Sequence, residues 1–281
     1  MKALVLGAGG QLGSDLLRVL PSAHGFSRLE LSVTDRRALE AALEAVRPDV
    51  VFNCAAYNAV DRAESEPELA FQVNSEGAFN VAAACSGAAV RLVHFSTNFV
   101  FDGTLQRPYR ESDAPGPLGA YGRSKLEGEG RVLAEYPQSL VVRTAALYGD
   151  RGSAVKGGSF PERIVNQAAT GGPLRVVGDQ LVNPTYTLDL ARAFIDLKAL
   201  PDRGVLHLVA EGCCGWDEFA RAALAACGIT ADVQAVSSDA FPGAARRPPN
   251  GCLESELVGP LRPWRDGLRE WASSRQAAKG G

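Results

Sequence analysis

The feature of this sequence that most constrains its fold is a glycine-rich turn near the amino terminus. A short apolar run, Ala3 to Leu6, leads into Gly7-Ala-Gly-Gly10-Gln-Leu-Gly13, and leucines at helical spacing follow. Glycines at these positions permit a tight turn, the close approach of a pyrophosphate and close packing of helix on strand. The turn therefore predicts a dinucleotide-binding βα unit, although by itself it is also compatible with an ordinary tight turn.

Short β-type runs continue to alternate with helical stretches after this turn. Val50–Asn53, Arg91–Phe95 and Leu140–Arg143 are separated by segments rich in Ala, Glu and Leu. This rhythm is typical of a parallel sheet with helices on both faces. The predicted fold class is therefore α/β, a Rossmann-type doubly wound parallel sheet with a smaller C-terminal substrate lobe.

The amino-acid composition of the chain changes after Gly149, where Gly and Ser cluster. Pro-rich stretches follow later. We therefore expect residues 1–155 to form the dinucleotide-binding domain and residues 156–281 to form the substrate-binding lobe. A helix predicted from about Thr187 indicates that a segment near 183–200 returns to the first domain.

Composition excludes several classes of protein. The net charge of −3 and the scattered Lys and Arg residues provide no basic patch, so we expect no nucleic-acid partner. The amino terminus lacks the pattern of a signal peptide, and no apolar run approaches the ~20 residues of a membrane span. These features predict a cytoplasmic protein with no membrane partner.

The cysteines and histidines give no indication of a metal site. The six cysteines show no Cys-x-x-Cys spacing and several lie in apolar contexts, which favours free buried thiols over disulfides. His24, His94 and His207 are far apart in sequence and have no second ligand at metal-binding spacing. We expect no bound metal.

The residues after the second predicted strand bear on the choice of cofactor. Ser27 and Arg28 stand where an acidic residue would bind the adenosine ribose of NAD. A guanidinium at this place would accept a 2′-phosphate, so NADP(H) is favoured, with NAD(H) as the alternative. A solvated surface charge remains the other interpretation of Arg28.

A second constellation combines a tyrosine, a lysine and a threonine. Tyr121 and Lys125 open a predicted helix and share one face of it. A nearby ammonium would lower the phenol pKa and allow Tyr121 to act as a general acid toward a carbonyl oxygen. Thr97 ends a predicted strand, at the edge of the sheet where ligands bind. A solvated helix face is the alternative interpretation of the Tyr–Lys pair.

With these motifs in order, the sequence resembles the extended short-chain dehydrogenase/reductases and, within them, the dTDP-4-dehydrorhamnose reductase family. The motifs that carry the resemblance include Gly7–Gly13, Asn53–Tyr57, Ala59–Glu64, Val73–Asn74, His94–Thr97, Val100–Gly103, Tyr121–Lys125, Arg143–Thr144, Asp179–Gln180, Pro184–Thr185 and Arg247–Pro248. The resemblance implies that Thr97, Tyr121 and Lys125 form a catalytic triad, with Asn74 supporting the proton path.

The resemblance and the glycine turn together give two sets of expected binding residues. The expected cofactor-binding residues are Gly7, Gly10, Gln11, Leu12, Arg28, Asn53, Ala55, Ala56, Tyr57, Asn74, Tyr121 and Lys125. The expected substrate-binding residues are Asn58, Val60, Asn98, Phe99, Ala146 and Arg247. Arg247 could pair with phosphate oxygens of a nucleotide diphosphate, or it could be a solvated charge on a turn.

The departures from the family pattern cluster among the residues expected to line the sugar-binding side of the site, which we call the sugar wall. Asn98 and Phe99 replace the family's Asp-Tyr, Asn58 replaces a Thr, and Ala146 stands where an aromatic residue is usual. The reducing machinery is retained, whereas the sugar wall is altered. The identity of the sugar therefore stays open.

Three functions fit this pattern. The first is an NADPH-dependent reductase of a nucleotide-linked 4-keto-6-deoxysugar, with Tyr121 as proton donor. The second is a nucleotide-sugar epimerase of the same superfamily, and the third is a non-catalytic NADP-binding regulatory subunit. A nucleotide sugar is the expected partner of either enzyme, and the resemblance also leaves a homodimer open.

Overall fold

The computed structural model of the chain describes residues 1–151, 157–243 and 245–279. The strands are β1 (Ala3–Leu6), β2 (Ala23–Phe26), β3 (Val50–Asn53), β4 (Arg91–Thr97), β5 (Leu140–Thr144), β6 (Leu147–Tyr148), β7 (Leu174–Val177), β8 (Leu181–Val182), β9 (Thr185–Tyr186), β10 (Gly204–His207), β11 (Ala210–Glu211), β12 (Cys214–Gly215), β13 (Val233–Val236) and β14 (Leu261–Pro263). The α-helices are α1 (Gln11–Val19), α2 (Arg36–Val46), α3 (Pro67–Phe71), α4 (Gly77–Ala88), α5 (Ala120–Glu135), α6 (Phe160–Ala168), α7 (Thr187–Ala193), α8 (Trp216–Ala226) and α9 (Trp264–Lys279).

The central sheet has six strands in the order β10-β5-β4-β3-β1-β2, and every pair in it is parallel. The chain leaves β1 in one direction to β2 and returns on the other side to β3, so the strand order reverses beside β1. Leu6 and Asn53 end β1 and β3 in register, and Asn53 pairs with His94 of β4, which continues to Thr97. A crevice at such a reversal is where open α/β sheets bind ligands. The predicted Rossmann-type fold class is confirmed.

Apolar side chains cover both faces of this sheet. Leu4 and Leu92 pack on one face with residues of α2 and α4, while Val5 and Val93 pack on the other with residues of α1 and α7. Phe194, at the end of α7, packs edge-on against aromatic rings of β3 and β4, with ring centroids 5.5 and 5.3 Å apart. Burial on both faces explains why the central strands are continuously apolar.

A second core lies apart from the sheet. It is built around Tyr148, Phe219 and Trp271, on residues that include parts of α6, α8 and α9. The division of the chain at residues 155 and 156 lies outside the described residues and stays a prediction. The sixth strand of the sheet, β10, comes from the part of the chain that the sequence assigned to the substrate lobe.

The cysteine prediction was wrong for one pair. A disulfide joins Cys213 to Cys252, across 39 residues of sequence, whereas Cys54, Cys85 and Cys214 are free thiols. The two partner segments run side by side because the Asn183 side chain bonds both of them: it donates to Gly212 O at 3.0 Å and accepts from Leu253 N at 2.7 Å. Spacing along the chain contains no trace of this contact.

Candidate active site

The glycine turn forms one wall of the candidate site. Gly7 has φ +76°, and a Cβ there would lie 2.8 Å from the backbone of Cys54 and Ala55, so only glycine fits between β1 and β3. No described side chain caps the amino terminus of α1, whose N-cap residue is Gly10. Gln11 Nε2 is buried without a hydrogen-bond partner among the described residues. Free backbone donors and an unpaired amide at a helix start fit a pyrophosphate.

The second wall contains the predicted catalytic residues. Thr97 ends β4, and Tyr121 lies in the first turn of α5, where the Thr97 side chain acts to lower the pKa of the phenol. Lys125 is 2% exposed, and its Nζ donates to Phe95 O at 2.7 Å. The structure therefore brings all three residues together at the carboxyl edge of the sheet.

The acid–base expectation needs a correction. Burial raises the pKa of Tyr121 to about 12, and the effect of the Thr97 side chain only partly opposes this rise. Burial also lowers the pKa of Lys125 to about 8, against the opposing charge of Glu129. The ammonium therefore does not lower the phenol pKa here, because desolvation dominates. Tyr121 is instead a neutral phenol at physiological pH, which is the form that can donate a proton.

A buried ion pair lies behind Lys125, one helical turn further along α5. Glu129 accepts from Arg143 Nη2 at 2.7 Å and from Nε at 3.0 Å, and both side chains are at most 5% exposed. Arg143 also stacks on the ring of Phe101, 5.1 Å from its centroid. This pair fixes α5 against β5 and places a negative charge near the lysine. Arg143 belongs to one of the motifs named above, but its pairing with Glu129 has no signal in the spacing.

Asn53 and Asn74 are both buried, and each orients nearby backbone. Asn53 Nδ2 is 3.1 Å from His94 Nδ1, whose imidazole is neutral because burial and the charge of Lys125 lower its pKa. Asn53 Oδ1 accepts from Ala55 N at 3.2 Å. Asn74 lies in a π-helical turn, accepts from Tyr57 N at 2.8 Å and donates to Ser124 Oγ at 3.0 Å. These contacts hold the loop after β3 against α5.

The remaining residues of the expected cofactor set line or border this crevice in different ways. Leu12 is buried in the core under α1, Ala56 and Arg28 are exposed, and Ala55 and Tyr57 are half-buried. Tyr57 donates its hydroxyl hydrogen to Glu66 Oε2 at 2.7 Å.

The expected substrate residues occupy distinct environments. Asn98 is 2% exposed and its Nδ2 donates to Gly251 O at 2.9 Å, so its amide is committed to a backbone contact. Phe99 packs edge-on against Tyr121 with centroids 5.5 Å apart. Ala146 is half-buried with φ +43°, a conformation that disfavours a larger side chain. Asn58 and Val60 are half-buried in the loop after β3.

Arg247 is not a free cation. Its Nη2 binds both oxygens of Asp61 at 2.8 and 3.0 Å, and Asp61 Oδ1 also accepts from Ala245 N at 2.9 Å. The pair connects the segment around residue 247 to the loop after β3. Asp61, Glu64, Glu129 and Arg143 are site-forming residues that sequence reasoning missed as partners.

Within residues 1–151, 157–243 and 245–279, no cluster of His, Cys, Asp and Glu side chains could hold a metal ion. Among the helices of those same ranges, none is both long enough and apolar enough to cross a membrane.

A glycine turn at a strand reversal and a Thr-Tyr-Lys cluster opposite it define a Rossmann-type oxidoreductase of the short-chain dehydrogenase/reductase class. Comparison with known proteins makes the assignment narrower. The family model described as the RmlD substrate binding domain matches residues 1–276, and the chain belongs to that family. The predicted resemblance is thereby confirmed.

Individual relatives agree with this assignment. The dTDP-4-dehydrorhamnose reductase of Mycobacterium tuberculosis is 41% identical, over 95% of this chain and 91% of its own length. The dTDP-4-keto-6-deoxy-D-glucose reductase of Streptomyces niveus is 36% identical, over 95% of each chain. The crystal structure of the Bacillus anthracis dTDP-4-dehydrorhamnose reductase in complex with NADP superposes with a TM-score of 0.91 at 31% identity, covering 98% of this chain and 100% of that one.

Proposed function

We propose that the chain reduces the keto group of a dTDP-linked 4-keto-6-deoxysugar with NADPH. The observation that carries the proposal is the placement of Thr97 at the end of β4 and of Tyr121 and buried Lys125 on one face of α5, at the edge of the sheet that bears the glycine turn. The relatives named as reductases of dTDP-4-dehydrorhamnose and of dTDP-4-keto-6-deoxy-D-glucose support the substrate class.

Each residue of the triad has a distinct task in this proposal. NADPH, when bound, supplies the hydride. Tyr121 is a protonated phenol and donates its proton to the carbonyl oxygen of the sugar, as a general acid. Thr97 orients the same oxygen through its hydroxyl group. Lys125 would hold the nicotinamide ribose, with its ammonium group as the hydrogen-bond donor.

The residues that would hold the cofactor lie in and around the glycine turn. The backbone N–H groups that follow Gly10 and the unpaired Gln11 amide would hold the pyrophosphate. Asn53 and Asn74 would act by fixing the loop that contains Ala55 and Tyr57. Binding of NADP by the relative from Bacillus anthracis supports NADP(H) as the cofactor.

Arg247 and the residues of the sugar wall determine which substrate the proposed site would accept. Arg247 would bind the diphosphate of the nucleotide after partial release from Asp61, because guanidinium groups pair with phosphate oxygens. Asn98 and Phe99 supply no acid–base pair next to Thr97, which disfavours a dehydratase. We further propose a cytoplasmic location.

Purified protein tests the proposal with NADPH and dTDP-4-keto-6-deoxysugars, followed by absorbance and by NMR of the sugar product. Stoichiometric NADPH oxidation with formation of a 4-hydroxy sugar is the expected result. Interconversion of sugar epimers with no net NADPH consumption would favour the epimerase. Tight NADPH binding without any turnover of sugars would instead favour the regulatory subunit.

A further inference from the structure

The loop that follows β2 borders the cofactor crevice directly. Gly7 N and Ala8 N donate to Phe26 O at 3.0 and 3.1 Å, which ties the end of β2 to the glycine turn. A Cβ on Gly9 would lie 3.8 Å from the Cβ of Ser27. In Rossmann folds this corner receives the adenosine ribose, where the 2′-hydroxyl of NAD or the 2′-phosphate of NADP is recognised.

The Glu30 carboxylate accepts a hydrogen bond from a backbone donor at this corner. Glu30 Oε2 accepts from Ser27 N at 2.7 Å. The backbone and side chain of Ser27 lower the pKa of Glu30, so the group is ionised at neutral pH. The turn is closed by backbone bonds from Glu30 N and Leu31 N to Ser27 O, at 3.1 and 3.0 Å.

Glu30 is exposed and carries a negative charge in the loop after β2. No salt bridge within 4.0 Å joins it to Arg28 or to another cation of the described residues. Arg28 lies two positions earlier and is exposed. A cation and an anion of the same short loop therefore both remain available to a ligand at the ribose corner.

We propose that Glu30 is the residue that limits discrimination between NADPH and NADH in this chain, a claim that rests on the proposed dinucleotide site. A 2′-phosphate would need the Ser27 donors that Glu30 now holds, and the carboxylate would repel it. A ribose 2′-hydroxyl, in contrast, can donate to the same carboxylate. Arg28 acts in the opposite direction, because its guanidinium attracts the phosphate.

Direct binding measurements test this proposal without any sugar present. Dissociation constants for NADPH and NADH are measured by fluorescence titration for the wild type and Glu30→Gln. The amide keeps an acceptor for Ser27 N–H and removes the charge. We expect NADPH binding to tighten about ten-fold at low ionic strength, because the variant loses the repulsion between the carboxylate and the 2′-phosphate. NADH binding should stay constant or weaken.

Salt and two further variants separate charge from loop structure. The gain in NADPH affinity should shrink strongly at about 0.5 M salt, because exposed charges are screened. Arg28→Gln should weaken NADPH binding and leave NADH binding unchanged. Glu44→Gln is the matched control, since it removes one exposed glutamate charge on α2 and should change neither constant.

The outcomes distinguish this proposal from the proposed function. Equal changes for both dinucleotides, or no change for either, in Glu30→Gln would overturn the role of Glu30. Failure of the wild-type protein to bind either dinucleotide would overturn the proposed function itself. Binding of both cofactors with the predicted shift supports the role of Glu30, whichever sugar the protein reduces.

Discussion

Glu64 Oε1 accepts a hydrogen bond from the backbone N–H of Ala120 at 2.7 Å, at the first residue of α5. The Glu64 carboxylate thus caps the helix that begins one residue before Tyr121, although 56 positions separate it from Ala120. It lies in a short 3-10 helix, Arg62–Glu64, three residues after the aspartate that binds Arg247. The loop after β3 therefore contacts both the catalytic helix and the segment expected to bind the nucleotide.

Replacing this cap should affect stability and catalysis together. Glu64→Ala removes the acceptor and the favourable charge at the helix start, which should lower the free energy of unfolding by about 1 kcal/mol. The value of kcat should fall because the first turn of α5 positions Tyr121. Urea unfolding and steady-state kinetics measure both effects. Glu64→Gln keeps an acceptor and should recover most of the lost activity; an equally inactive Gln variant would contradict the capping role.

The buried pair of Glu129 and Arg143 predicts a larger loss of stability. Glu129→Gln leaves the Arg143 guanidinium buried without a matched charge, which should cost about 3–5 kcal/mol of unfolding free energy. Glu40→Gln breaks an exposed pair with Arg36 on α2 and should cost no more than about 1 kcal/mol. Urea denaturation compares the two variants. Similar losses in both would show that burial of the Glu129–Arg143 pair has no energetic consequence.

The lowered pKa of Lys125 predicts a pH dependence of cofactor binding. Because the pKa is about 8, the ammonium loses its proton above that pH and its attraction for the cofactor weakens. NADPH affinity should therefore fall above pH 8 in a fluorescence titration. Lys125→Arg stays charged and should lack this fall, even if its affinity is lower throughout. A wild-type affinity that is constant to pH 9.5, roughly one and a half units above the group's pKa, would contradict the assignment.

The lowered pKa of Lys125 also predicts how the free energy of unfolding changes with pH. Folding lowers the lysine pKa, so between the folded and unfolded values the unfolded chain binds more protons than the folded chain. Lys125 therefore destabilises the folded chain below pH 8, and this destabilisation decreases as the pH rises above 8. Lys125→Met should be relatively more stabilising at pH 7 than at pH 10 in urea denaturation. The opposite trend would indicate that the ammonium is not desolvated in the folded chain.

The Arg247–Asp61 pair allows a test of nucleotide binding. Arg247→Ala should raise KM for the nucleotide sugar about ten-fold, as expected for loss of a charged hydrogen bond, and leave the dissociation constant of NADPH unchanged. Asp61→Asn breaks the ion pair but keeps the guanidinium. If Arg247 binds the diphosphate, KM rises only in the Ala variant. An equal rise in both variants would indicate that Arg247 merely tethers its segment to the loop after β3.

Local patterns allowed much of the fold to be predicted. The glycine turn, the buried strands and the Tyr121–Lys125 spacing each depend on a few adjacent residues, and the structure places these features as the sequence indicates. Asp35 caps α2 by accepting from Ala38 N at 3.0 Å, a contact between residues only three positions apart. Such signals survive in a sequence because the contacts that they report are local.

The contacts that shape the site are mostly long-range, and the sequence carries no local trace of them. Glu64 meets Ala120 across the crevice, and Cys213 meets Cys252 because Asn183 holds both segments. The phenol pKa was also misjudged, since proximity of Lys125 is visible in the spacing whereas the depth of burial is not. Desolvation depends on packing from several elements at once, and only the folded chain defines it.

The most direct test of the proposed catalysis is a comparison of Tyr121→Phe with the wild type, in single-turnover reduction of a dTDP-4-keto-6-deoxysugar by bound NADPH. The substitution removes the transferable proton and keeps the ring that packs against Phe99. The account predicts a rate about 10²–10⁴ times lower, with NADPH affinity changed far less. A Phe variant that reduces the sugar at the wild-type rate would contradict Tyr121 as the proton donor.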